Sequence, residues 1–305
     1  VPPESENPSR SLTAANVVVF AGKGGVGKTT VTAVVARAAA RSGRRVLVIE
    51  LDGKLALDEL LPERDGEHVT VVHLSAPEAL EEYLNDHGFR RIAKRLNRTG
   101  VIDMVGTAAP GIDDIVVLGK VKQYERSGEY DLIVVDGPAA GHAVSFLMSA
   151  SGLADAVRGG PIRSQADAVL ELLADPERCM AVLVTLPETT PVNETIETAY
   201  ALEENVGIRL GPVVVNGVDA GTELPEPDDV EAAFAGADLD RPTQDMLRDA
   251  TAFRRARRAV ESEALDRLSE RLPLGQIQLP ALPVAGLSAE DIDALADDML
   301  SGVDE

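Results

Sequence analysis

Five short runs of apolar residues punctuate the chain. They are Asn16–Phe20, Arg45–Ile49, Asp131–Val135, Met180–Val184 and Gly211–Val215, and each is a near-continuous stretch of Val, Ile, Leu, Met or Phe rather than an alternation. Runs of this length and type predict strands covered on both faces. Helical stretches separate them. Thr29–Arg41 is rich in Ala and Val and stops at Ser42-Gly43, a helix-ending signal, while Glu78–Tyr83, Phe89–Asn97, Asn193–Glu204 and Ala250–Leu272 also read as helices. Strands alternating with helices predict an α/β fold: a doubly wound, mostly parallel sheet with helices on both faces. Val1–Ala14 is polar and rich in Pro and Ser, so residues 1–14 are expected to form a loose tail. Gly221–Pro242 is acidic and rich in Pro, Gly and Asp, and is expected to be a surface loop region with a short helix. No repeat and no second strand set follow it, so residues 15–305 are expected to be one domain.

Between the first strand and the first helix lies Gly22-Lys23-Gly24-Gly25-Val26-Gly27-Lys28-Thr29, which fits G-x-x-x-x-G-K-T. The pattern needs a strand leading in and a helix leading out, and both are predicted here. Glycines let the backbone wrap phosphates without Cβ clashes, and the N–H groups of the loop and helix start supply positive potential. The segment from Gly22 through Thr30 is therefore expected to bind ATP. Lys28 is expected to reach the β- and γ-phosphates and the Thr29 hydroxyl to hold Mg²⁺.

Two further strands end in carboxylates. The second run closes on Glu50-Leu51-Asp52-Gly53-Lys54. Carboxylates at the carboxyl end of a parallel strand face the ligand crevice. Asp52 could orient or deprotonate the attacking water and Glu50 could support the Mg²⁺ shell, the register being open by one residue. Asp58 reads instead as a helix-surface carboxylate. The third run closes on Asp136-Gly137-Pro138-Ala139-Ala140-Gly141-His142. An apolar strand ending in Asp is a Walker B pattern, so Asp136 is expected to face Mg²⁺ through water.

These residues carry a resemblance. Lys23-Gly24-Gly25-Val26-Gly27-Lys28-Thr29 resembles the deviant Walker A of a class that includes plasmid-partition, septum-site, nitrogenase-iron-protein and arsenite-pump ATPases. In that class the early lysine crosses a dimer interface to the partner's nucleotide, which implies that role for Lys23. Asp136, Gly141 and His142 match the Asp-Thr-Ala-Pro-Thr-Gly-His signature of the arsenite-pump and tail-anchored-protein-targeting (ArsA/GET-like) ATPases, implying that Gly141 and His142 belong to a nucleotide-sensing switch. Ala109–Asp114 is similar to a Pro-Gly-Ile-Asp-Glu segment of the targeting ATPases. Asn216, ending the fifth run, matches an adenine-contacting Asn, and Leu279–Pro283 resembles a Pro-rich loop over the base, implying contacts from Pro280, Leu282 and Pro283. The resemblance runs from about Val17 to Met299. It implies an Mg²⁺-dependent ATPase acting as a nucleotide-switched homodimer, or a heterodimer with a related chain, on an unknown protein cargo.

Composition narrows this further. A net charge of -22 disfavours bulk attraction to nucleic acid or anionic lipid, and no apolar run is long enough to span a bilayer. A cytoplasmic protein is expected. Cys179 is the one cysteine and the four histidines show no zinc spacing, so a metalloid cysteine cluster, a shared zinc and an iron–sulfur cluster are not expected. Five dispersed methionines give no striped client helix. Two basic stretches, Phe89–Arg98 and Arg254–Arg258, read as solvated helix faces paired with nearby acids. Two rival readings remain: a partition-type ATPase that loads on DNA or membrane, and a P-loop small-molecule kinase.

Overall fold

The computed structural model describes residue 12 and residues 14–51, 55–64, 66–86 and 111–301. Among the described residues, eight strands form one parallel sheet: β1 (Val17–Gly22), β2 (Val46–Glu50), β3 (Val69–His73), β4 (Leu132–Ala139), β5 (Cys179–Thr185), β6 (Arg209–Leu210), β7 (Val213–Val218) and β8 (Gln276–Pro280). Their order is β3-β2-β4-β1-β5-β7-β8, with β6 pairing β5 off this path. The helices described are α1 (Lys28–Arg41), α2 (Ala56–Leu60), α3 (Ala76–Asp86), α4 (Ile112–Ser127), α5 (Ala140–Ala156), α6 (Pro161–Ala174), α7 (Thr189–Asn205), α8 (Pro227–Gly236), α9 (Arg241–Arg271) and α10 (Ala289–Ser301).

The continuous apolar runs are central strands because both faces of the sheet are covered. Val17, Val19 and Ala21 of β1, with Leu47, Ile49, Ile133 and Val135, pack under α3 to α7 and the end of α9. Val18, Phe20, Val46, Val48 and Val134 face the other way, under α1, α2 and α10. Each such Val, Leu or Ile contributes about 1.5–3 kcal/mol by leaving water. Helix α10 is held to α1 partly by ions. Arg37 is 1% exposed, with Nε 3.3 Å from Asp293 and its guanidinium also on Glu67. A charge so buried is tolerable only when paired.

Several elements depart from the pattern-based reading. Strands β3 and β8 were not predicted. Both lie on sheet edges, where the residues alternate or are only half covered, so no continuous apolar run marks them. Helix α9 begins at Arg241 rather than Ala250, because the Asp240 side chain accepts from the Thr243 N–H at 3.0 Å and Pro242 sits in the first turn. The acidic region does hold a short helix, α8, also opened by a proline. Leu12, inside the stretch read as a tail, is 1% exposed and packs with Ala15 against the α1 face. Predicted helix Phe89–Asn97, and with it the basic stretch to Arg98, lies outside the described residues. Among the described residues, no helix is long and apolar enough to cross a membrane.

Candidate nucleotide site

Strand β1 lies between β4 and β5, while its connection through α1 leads to β2 on the far side of β4. The carboxyl ends of β1, β4 and β2 thus border a crevice of the kind that holds ligands in doubly wound sheets. The loop 23–27 fills its floor. Gly25 and Gly27 have φ of 87° and 88°, the left-handed region that favours glycine. Val26 between them is buried and packs into the α1 face of the core, anchoring the loop. Asn216 clamps it from β7: its Nδ2 donates to the Val26 carbonyl at 3.0 Å. A Cβ on Gly27 would come within 2.2 Å of that same Nδ2, so the close approach also requires glycine.

Helix α1 opens from Gly27 with no side-chain cap and no acidic residue in its first turn. Its N–H groups and dipole are therefore directed at whatever anion occupies the loop. Lys28 Nζ donates to the Gly22 carbonyl at 3.1 Å, lying along the loop it is expected to serve. Thr29 Oγ1 donates to Asp136 Oδ2 at 2.7 Å, joining the first and third sequence motifs. Thr30 follows on α1 and is half-buried.

Asp136, Glu50 and His73 form one row across β4, β2 and β3, since Glu50 is in register with both of the others. Glu50 is 1% exposed. Its Oε2 lies 2.8 Å from His73 Nδ1, an ion-pair distance without hydrogen-bond alignment, and its Oε1 has no hydrogen-bond partner among the described residues. His73 Nε2 reaches Asp58 at 3.0 Å. Asp58 is thus on a helix surface as expected, yet it also closes an Asp58–His73–Glu50 chain that the pattern did not reveal. A buried carboxylate oxygen lacking a donor, beside Asp136 and the Thr29 hydroxyl, is an oxygen-rich setting that fits a hydrated Mg²⁺. Asp52, the expected water-positioning residue, lies outside the described residues.

The other predicted residues are distributed around this centre. Lys23 Nζ is 2.6 Å from Glu194 Oε1 on α7, in the same chain. Gly24 and Gly25 are exposed with open space where a Cβ would be. Pro280 lies opposite Val218, beside Asn216, and leads into the loop carrying Leu282 and Pro283. Gly141 and His142 are exposed in the first turn of α5. His142 lines a cavity of about 270 Å³ with Asp113, Asp114 and Pro138. Burial raises the Asp114 carboxyl above its ordinary range, Asp113 adds to this, and His142 opposes it. Asp113 and Asp114, in the described part of the Pro-Gly-Ile-Asp-Glu-like segment, are therefore brought beside Pro138 and His142 by tertiary structure.

Comparison with known proteins agrees with this geometry. Residues 15–158 match the profile of the Anion-transporting ATPase family. The ATPase BagA of Mycobacterium tuberculosis is 33% identical over 229 residues, 68% of this chain and 66% of the relative. The chain belongs to the ArsA-like ATPase family. A Halobacterium salinarum relative, provisionally named an arsenical pump-driving ATPase, is 27% identical across 94% of this chain and 45% of its own length. An Aquifex aeolicus relative with a similar provisional name is 28% identical across 66% of this chain and 80% of its own length. This ArsA-like chain thus spans 66% of the mycobacterial relative and less than half of the halobacterial one.

Proposed function

We propose that the chain hydrolyses ATP with Mg²⁺ and couples the cycle to a dimer closing on an unidentified protein cargo. The observation that carries the reading is the meeting of the uncapped α1 N-terminus, Lys28, and the Thr29–Asp136 hydrogen bond at the crevice of the sheet. The loop N–H groups of residues 24–29 would hold the phosphates, with Lys28 turning from the Gly22 carbonyl to the β- and γ-oxygens. Thr29 and Asp136 would hold Mg²⁺, with Glu50 in its water shell. The ion would supply neutralisation of the charge that develops on the transferred phosphoryl group. Asn216 already grips the loop through Nδ2, which leaves its Oδ1 for a purine amino group, and Pro280, Leu282 and Pro283 would cover the base.

In this reading Asp52 orients the water. Lys23 reaches the nucleotide of a second, like or related, chain after leaving Glu194. Both members of that pair are well exposed, so its release costs little. Gly141 and His142, at the α5 start, transmit the loss of the γ-phosphate. The arsenical chemistry in the relatives' names is not carried over: burial pushes the Cys179 thiol up to about 12, which makes it a poor metalloid ligand. The basic residues Arg254 and Arg258 are engaged by Asp219, at 2.6 and 3.0 Å, which supports a partner other than nucleic acid. A cytoplasmic location accords with this set of assignments.

Phosphate release by the Lys28→Ala chain tests the proposal. Release should fall to background while the circular-dichroism spectrum stays unchanged; wild-type turnover would reject the assignment. Phosphoryl transfer to an acceptor in place of release would point to a kinase.

A further inference from the structure

Helix α9 has two unlike faces over its first two-thirds. One is held to the body: Arg248 pairs with Glu231, Arg254 and Arg258 with Asp219, and Glu261 is buried. The other carries Met246, Ala250, Phe253, Ala256 and Val260, all exposed. The three large residues among them are 63%, 70% and 47% exposed. They recur every seven residues, so they lie along one line of the helix, about 21 Å from end to end. An apolar stripe of this length facing water is unusual and marks an interaction surface.

The order of residues in the stripe identifies what would cover it. The steps between its members are four, three, three and four, the same read in either direction from Phe253. Asp249 lies four residues before Phe253 and Arg257 four residues after it, both exposed beside the stripe; Arg257 also meets Glu261 of its own helix at 3.2 Å, which leaves its side chain 54% exposed. Two copies of this helix laid antiparallel about an axis through Phe253 therefore bring Phe253 to Phe253 once, on the axis, and Ala250 to Ala256, Met246 to Val260 and Asp249 to Arg257 twice each by symmetry. Like charges are opposed nowhere along these pairs. An anionic lipid surface lacks this match and would be repelled by Asp245, Asp249 and a chain of net charge -22.

We infer that α9 is a self-recognition surface that pairs antiparallel with α9 of a second copy of the chain, burying the Met246–Phe253–Val260 stripe. An interface of this kind is isologous, as a two-fold dimer requires. It is separate from the P-loop closure proposed above, does not rest on it, and needs no nucleotide.

The test uses the full chain without nucleotide. Cys179 is fully buried, so a Phe253→Cys variant presents one accessible thiol. Under mild oxidation it should form an interchain disulfide, while Ser262→Cys, exposed on the same helix but off the stripe, should form much less. In sedimentation equilibrium the wild-type chain should dimerise and Phe253→Asp should be monomeric. Asp249→Arg alone should weaken the dimer about tenfold, and adding Arg257→Asp should restore it to within about threefold. A monomeric wild-type chain, equal cross-linking of the two cysteine variants, or failure of the charge swap to rescue would each overturn the inference. So would binding through α9 only to a different, related chain. Retention of ATP hydrolysis by Phe253→Asp keeps this outcome distinct from failure of the ATPase assignment.

Discussion

Replacement of Gly27 by alanine should cost the fold about 2–3 kcal/mol, and the cost should divide in a measurable way. Gly27 sits at φ 88° and ψ 30°, so alanine there carries about 1–2 kcal/mol of left-handed backbone strain. The new Cβ would also fall 2.2 Å from Asn216 Nδ2. The amide can swing away, but only by giving up its hydrogen bond to the Val26 carbonyl, worth about 1 kcal/mol. Asn216→Ala alone should lose the same bond and cost about 1 kcal/mol. The double variant pays for that bond once, so it should be less destabilised than the sum of the singles by about 1 kcal/mol. Urea unfolding of the four chains, at constant m-value, reads the coupling. Additivity within about 0.3 kcal/mol would refute the account, because it would mean that the alanine methyl and the Asn216 amide do not compete for one space.

Three other outcomes follow from the same structure. His73→Ala removes the imidazole that lies 2.8 Å from the buried Glu50 carboxylate and should lower stability by about 1–3 kcal/mol in urea; Glu50→Gln in that background should recover most of it, and an unchanged midpoint in His73→Ala would discard the Asp58–His73–Glu50 chain. The Arg45 guanidinium and backbone N–H hold the Asp131 carboxyl down to about 2, so its contribution is present above the ordinary carboxylate range and fades as pH falls towards that value. Arg45→Ala removes the guanidinium but keeps the backbone N–H, so the Asp131 titration, followed by NMR, should move only part of the way back towards its ordinary position; no movement would contradict the guanidinium's role. Asp114 has the opposite sign: burial raises its carboxyl, so it weakens the fold increasingly as pH rises through and above the ordinary carboxylate range. Asp114→Asn should therefore raise the urea midpoint at neutral pH and leave it nearly unchanged in acid; equal gains at both would contradict the burial argument.

The central strands and the phosphate loop were legible in the chain because their physics is local. A strand covered on both faces must be apolar along its covered length, and β1, β2, β4, β5 and the start of β7 are apolar up to their carboxyl ends, where Glu50, Asp136 and Thr185 stand. A loop that wraps phosphate needs glycine at fixed spacing before a helix, and residues 22–29 supply it. Edge strands β3 and β8 escaped because one-sided burial leaves no unbroken run. Helices α4, α5, α6 and α10 also escaped. In the sequence, Ile112–Ser127 is marked only by its Gly-Ile-Asp start.

What the sequence by itself determined is thus the sheet's central strands, the P-loop with Lys28 and Thr29, and the strand-end carboxylates Glu50 and Asp136. Each follows from a residue's immediate neighbours along the chain. Tertiary structure alone decided which of them meet and what else joins them. Strand order brings Glu50, Asp136 and His73 into one row, β7 delivers Asn216 to the loop, and α7 gives Lys23 its Glu194. These partners lie far apart in the chain, and only the packing of helices across a twisted sheet, driven by burial of its two apolar faces, sets them within a few ångströms of one another.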